Sequence, residues 1–240
     1  MNSPHDIIPP ELLFYASAPH PCSYLDGEEA VTLFADPEAQ MTTSLYSALS
    51  DLGFRRSGEY VYTPRCPHCS ACLPVRLPVH DFTPDRSQRR NWRQNQDLTA
   101  AVLAAEFRDS HFALYQRYIH SRHPEGAMAT PDRDQYTRFF GSSWCDTRYV
   151  EFSLDSRPLA VAVTDVLSNG LSAVYTFFDP EEHKRGLGVF AVLWLIEEAK
   201  RRGLPYLYLG YLIHESAKMA YKARYQPLEV FRHGHWQPLD

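Results

Sequence analysis

The first 54 residues of this 240-residue chain contain no lysine or arginine, against eight acidic side chains. No apolar run approaches the roughly 20 residues that cross a bilayer, which excludes a spanning helix of that kind and leaves no membrane partner to expect. The opening Met1–Asp6 lacks the basic-then-apolar order of a secretory signal, so the cytoplasm is the expected compartment. Internal repeats and low-complexity tracts are also absent. Cysteine is scarce and odd in number, five in all. Without a secretory signal these are expected as reduced thiols or ligands, not as a disulfide framework. A net charge of −5, taken alone, argues against a polyanionic partner.

The charge is unevenly placed, however. Residues 55–93 carry eight arginines and three acids, a local net of +5, while residues 94–240 have 16 bases and 18 acids. A basic block inside an acidic chain is a directed electrostatic feature. With 44% hydrophobic residues, the chain has material for one large domain or two small ones.

Met41–Leu52 reads as a helix, with Leu45, Leu49 and Leu52 on one stripe and Gly53 just past its end. Glu59–Thr63 reads as a short strand. Leu73–Phe82 reads as a strand that Pro74 and Pro78 place at a sheet edge. Pro84-Asp-Arg-Ser opens a helix on which Arg86, Arg89, Arg90 and Arg93 share one face. No acid stands between Arg86 and Gln96 to offset their repulsion. The stripe therefore reads as an anion-binding face, with a merely solvated face as the alternative.

Helices are predicted near Phe107–Ser121 and Asp132–Phe140, then strands at Arg148–Leu154, Leu159–Asp165 and Leu171–Phe178. A glycine loop, Lys184-Arg-Gly-Leu-Gly188, leads into an apolar helix, Val189–Arg202, that Gly203 and Pro205 stop. Tyr206–Tyr211 is a return strand. This order is similar to a GNAT-like acyltransferase core. The expected fold class is α/β (α+β), with a smaller N-terminal cysteine-containing domain over 1–98 and a GNAT-like domain over 99–240. His183 stands where that family's loop carries Gln or Arg, which departs from an acetyl-CoA pyrophosphate cradle.

Further on, Lys218-Met-Ala-Tyr-Lys222-Ala-Arg-Tyr225 spaces Lys218 from Lys222, and Tyr221 from Tyr225, by four. On a helix that is a basic stripe beside an aromatic one. Aromatics among bases suit an unpaired nucleic-acid end, where bases stack and phosphates need cations. Core packing explains the same tyrosines equally well.

Leu52-Gly-Phe-Arg-Arg-Ser-Gly-Glu-Tyr-Val-Tyr62, Arg86-Ser-Gln-Arg-Arg90, Val174-Tyr-Thr-Phe-Phe-Asp-Pro180, Tyr208-Leu-Gly-Tyr-Leu-Ile213 and Lys218-Met-Ala-Tyr-Lys222 together resemble the arginyl-tRNA–protein transferase family, most of all its bacterial, leucine-transferring branch. The resemblance runs from about Cys22 to Trp236. Gly186, where serine is expected, and the acidic Asp26-Gly-Glu-Glu depart from the family pattern. The resemblance implies transfer of leucine from Leu-tRNA to the α-amine of a protein beginning with Asp or Glu, a product marked for degradation. It implies no cofactor for the transfer itself, because the ester is already activated.

On that reading, the α-amine, with a pKa of about 7.7–8.0, is partly neutral at cell pH, so the enzyme must mainly position the reactants and stabilise the oxyanion. Asp165 or Asp179 is a candidate base, with Asp179 equally readable as a turn residue, and Tyr175 or Tyr211 a candidate for positioning the ester. Arg86, Arg89, Arg90 and Arg93, with Lys218, Lys222, Tyr221 and Tyr225, are candidates for tRNA. Arg55, Arg56, Arg76, or Arg122 with His123, would read the acceptor's carboxylate, each with a structural ion pair as its alternative. Cys66-x-x-Cys69-x-x-Cys72 offers three thiols, one short of structural zinc. The resemblance suggests Cys22 as the fourth ligand, of zinc or an iron–sulfur cluster; His68 is an alternative, and unliganded thiols another. The rival functions are an acetyl-CoA-dependent GNAT N-acetyltransferase and a tRNA-end-binding module without catalysis.

Overall fold

The computed structural model describes residues 7–122 and 132–239. His123 lies outside them. The chain begins with β1 (Phe14–Ala16), β2 (His20–Pro21), β3 (Glu29–Ala30), β4 (Thr32–Ala35), helix α1 (Thr43–Asp51), β5 (Arg55–Ser57) and β6 (Tyr60–Pro64). β1, β4, β6 and β5 form an antiparallel sheet in that order, while β2 and β3 pair separately. The Thr42 hydroxyl caps α1 by accepting from the Leu45 N–H. Its Leu45 and Leu49 are buried, as the stripe predicts.

Then follow β7 (Leu73–Pro78), α2 (Arg86–Gln94), β8 (Thr99–Ala104), α3 (Asp109–Arg122), α4 (Arg133–Phe140), β9 (Thr147–Leu154), β10 (Arg157–Leu167), β11 (Gly170–Phe178), α5 (Leu187–Arg201), β12 (Tyr206–Leu212), β13 (Glu229–Arg232) and β14 (His235–Pro238). Eight strands make one mixed sheet in the order β14-β13-β7-β12-β11-β10-β9-β8. Every neighbouring pair is antiparallel except β11 with β12.

β10 shows why the layers form. Ala160 and Ala162 face α5, which packs through Phe190 and Ile196, while Val161 and Val163 join Ile119 of α3 and Phe140 of α4. Alternate residues point to opposite faces, and both faces are covered, so Leu159–Val163 is apolar without interruption.

One expectation is corrected here. β7 is an interior strand, not an edge strand: it lies between β13 and β12. Its prolines sit at its ends, opposite Tyr211 and Tyr206, and leave the N–H groups of Val75, Arg76 and Leu77 for the ladders. Because β7 precedes residue 98 and its partners follow it, the sheet runs across the expected domain division.

β11 and β12 are paired only from Gly170–Ser172 to Tyr206–Tyr208. β11 then carries a bulge at Val174, and β12 an irregularity between Tyr208 and Gly210. Bulges bend the strands that contain them, and here they end the pairing. The two strands part beyond that point.

Candidate active site

Arg55, from β5, reaches into the space where β11 and β12 part. Its Nη2 donates to the carbonyls of Ala173, at 2.8 Å, and Val174, at 3.3 Å. The guanidinium lies against Gly210, whose φ is +80°, and a Cβ there would stand 1.8 Å from Nη1. Glycine supplies both the backbone conformation and the room. On the neighbouring residue of β12, the Tyr211 carbonyl accepts from Nζ of Lys222, which is buried. Burial, reinforced by the Arg55 charge, pulls the Lys222 ammonium down to about 7. Tyr211 donates its hydroxyl to the carbonyls of Gly53, at 3.1 Å, and Tyr62, at 3.2 Å. Burial, and then Tyr62, push this phenol well above the usual range. Its hydroxyl is thus a tie between β12 and the N-terminal segment.

The other predicted catalytic groups lie elsewhere or are already engaged. Asp165 is fully buried and accepts from Nε and Nη2 of Arg56, both at 2.6 Å, and from Thr147. Arg56 also donates to the Phe140 carbonyl. Each neutralises the other inside closed packing, which corrects Asp165 as a base and Arg56 as a carboxylate reader. Asp179 caps the 3-10 turn Pro180–Arg185 through the Glu181 N–H and pairs with Arg157 at 2.8 Å and Arg117 at 3.3 Å. Despite burial, these partners hold its carboxyl below the usual range, which disfavours it as a base and leaves the turn reading. Tyr175, past the β11 bulge, packs among Phe139, Phe140, Tyr115 and Tyr118. Burial raises its phenol, and those tyrosines add to the effect.

Among the arginines, Arg76 pairs with Asp51 at 3.1 Å and Glu229 at 2.7 Å and stacks on Tyr206, so it is structural. Arg122 is exposed at the end of α3, 5.8 Å from the Phe178 ring. The expected metal site is also corrected. Cys22, Cys66, Cys69 and Cys72 are free and half-buried. Burial, with Cys22, Cys66 and Cys69 nearby, pushes the Cys72 thiol up to about 11. Among the described residues no three His, Cys, Asp or Glu side chains are disposed to hold a metal ion, His68 included.

Arg86, Arg89, Arg90 and Arg93 are all exposed on α2. None of them pairs with a carboxylate among the described residues. A capping box between Asp85 and Gln88 starts this helix. Its opposite side grips the glycine loop: Asn91 donates to the Arg185 and Gly186 carbonyls, Asn95 to Arg185, and Gln94 to Lys184. Sequence reasoning missed this amide face. Between α2, Val189 and the 3-10 turn Ala220–Arg224 lies a groove of about 230 Å³, lined in part by Arg90, Tyr221, Arg224 and Tyr225.

The C-terminal segment departs from the α-helix expected of it. In 3-10 geometry residues three apart eclipse. Hence exposed Tyr221 and Arg224 point outward, and buried Lys222 and Tyr225 point inward. Lys218 is exposed. Lys222 thus leaves the predicted basic stripe and enters the strand split. One signal for that split was visible: a glycine within a strand pattern, Tyr208-Leu-Gly-Tyr211, marks close backbone approach.

Chains of this kind are transferases: relatives named "Aspartate/glutamate leucyltransferase" occur in Hahella chejuensis, 52% identical over 94% of this chain and 96% of the relative, and in Nitrosococcus oceani, 53% identical over 94% and 95%. Residues 20–90 match "Arginine-tRNA-protein transferase, N terminus", and residues 110–232 match "Arginine-tRNA-protein transferase, C terminus". The chain belongs to the arginine-tRNA-protein transferase family. Among solved structures, L-PGS from Bacillus licheniformis shares part of the backbone path, with a TM-score of 0.47 and 11% identity over 69% of this chain and 51% of the other.

Proposed function

We propose that this protein moves leucine from Leu-tRNA onto the α-amine of proteins whose first residue is Asp or Glu, in the cytoplasm, giving them a destabilising N-terminal leucine. The observation that carries this reading is identity above 50% to leucyltransferases along nearly the whole chain. The parting of parallel β11 and β12, joined through α5, supports a GNAT-like acyltransferase core.

The residues then take complementary tasks. The arginines of α2 and the groove beside them, with Tyr221 and Arg224, receive phosphates and an unpaired base at the acceptor end of the tRNA. The aminoacyl ester reaches into the split, where backbone N–H groups on the β11 edge past Ser172 stabilise the oxyanion. The α-amine attacks the ester carbonyl, the C–O bond to the ribose breaks as the C–N bond forms, and the proton given up by the amine ends on the departing ribose hydroxyl. The ester supplies its own activation, so the transfer needs no ATP.

The test is incubation of the purified chain with radiolabelled Leu-tRNA and peptides beginning with Asp, Glu, Lys or Met. Labelled product is expected only with Asp and Glu. No leucylated product with the Glu peptide would overturn the reading, and acetyl transfer from acetyl-CoA in its place would favour an N-acetyltransferase.

A further inference from the structure

Among the described residues, every buried or half-buried lysine and arginine pairs with a carboxylate except two, Arg55 and Lys222. Those two meet at the strand split. We propose that Arg55 and Lys222 together form the pocket that reads the side-chain carboxylate of the acceptor's first residue. The inference rests on the leucyl-transfer reading and deepens it by assigning its specificity.

Three observations converge. First, both cations lie against adjacent residues of β12, Gly210 and Tyr211, two and three residues past Tyr208, the last to pair with β11. A carboxylate between them would hold the attached α-amine near the free edge of β11. Second, their hydrogen-bonding capacity is incompletely used. Arg55 spends only Nη2, on two backbone carbonyls, and its Nε and Nη1 donate to no described residue. Lys222 Nζ bonds the Tyr211 carbonyl and touches Met219 sulfur at 3.4 Å, leaving one N–H. A guanidinium fork matches a carboxylate, and an ammonium adds a second donor at a flexible distance. Third, two cations withdrawn from water without a counter-charge repel each other. Burial, and then the Arg55 charge, lower the Lys222 ammonium below its ordinary range. An incoming carboxylate removes the conflict, whereas a neutral Gln or Asn side chain does not. Specificity then comes from what is left unpaired when the wrong side chain enters.

The experiment measures kcat and KM for the full chain with Leu-tRNA and peptides beginning with Glu or Gln. Wild type is compared with Arg55→Met, Lys222→Met and the charge-keeping Arg55→Lys and Lys222→Arg. Each Met variant is expected to raise the KM for the Glu peptide about 10- to 100-fold and to collapse the Glu-over-Gln preference, with the KM for Leu-tRNA held within about twofold. The charge-keeping variants should fall between these and wild type, and they decide the matter if a Met variant does not fold. If the preference for Glu survives all four substitutions, the pocket is elsewhere. If Lys222→Met lowers kcat for both peptides and leaves the preference intact, the lysine is a proton acceptor and the proposal fails. Wild type that leucylates neither peptide would instead sink the functional reading beneath it.

Discussion

At the scale of the residue, the molecule handles its buried cations in two opposite ways. Arg56 is fully enclosed with Asp165, its charge matched by a bidentate ion pair and its remaining donors taken by Thr147 and the Gly58 and Phe140 carbonyls. Such a pair joins the N-terminal hairpin to β9 and β10, and breaking it leaves a guanidinium stranded in the interior. Asp165→Asn is therefore expected to cost about 3–5 kcal/mol of stability, read from the urea unfolding midpoint, while the folded fraction keeps its acceptor preference. A stability within about 1 kcal/mol of wild type, coupled to a much reduced kcat, would restore Asp165 as a base. Arg55, one residue earlier, has no such match. Neighbouring arginines on a strand face opposite sides, so the pair Arg55-Arg56 sends one charge to the split between β11 and β12 and one to the core. Sequence alone offers both as equal candidates, because the partner that distinguishes them lies on a distant strand.

At the scale of the element, α2 is the part whose outward chemistry was most legible. Helical spacing alone puts Arg86, Arg89, Arg90 and Arg93 on one face, and they are exposed on α2. Its inward chemistry was not legible, because Asn91, Gln94 and Asn95 acquire meaning only from the loop carbonyls they meet. If the outward face holds phosphates, replacing both Arg86 and Arg90 with Ala should weaken Leu-tRNA binding. The slope of log K against log salt should flatten by about one for each phosphate that no longer has its arginine. An unchanged slope would remove α2 from the tRNA interface. The segment after β12 shows the limit of periodicity. Four-residue spacing assumes 3.6 residues per turn, and the tighter 3-10 turn at Ala220–Arg224 redistributes the same side chains. Lys222 was thereby expected on a surface stripe and is found under it.

At the scale of the whole molecule, the long periodic elements β9 to β12 and α5 fall within a few residues of their predicted bounds, because covering by helices on both sides leaves a strong apolar signal. The way the halves join was not visible, since nothing local in Leu73–Pro78 names its partners. Without β7, strands β12 and β13 would each have an unpaired edge. Residues 99–240 expressed alone should consequently lack a cooperative thermal transition, whereas the full chain should show one. A sharp transition in the fragment would mean that β7 is dispensable.

The same connection orders events during synthesis. β7 leaves the ribosome well before the strands that flank it, β12 and β13. Until they join it, the edge of β11 and both edges of β7 stand unpaired, the kind of surface that invites pairing with other nascent chains. The split between β11 and β12 borders these edges, so the place where Arg55 and Lys222 meet takes shape only after β12 has found β7.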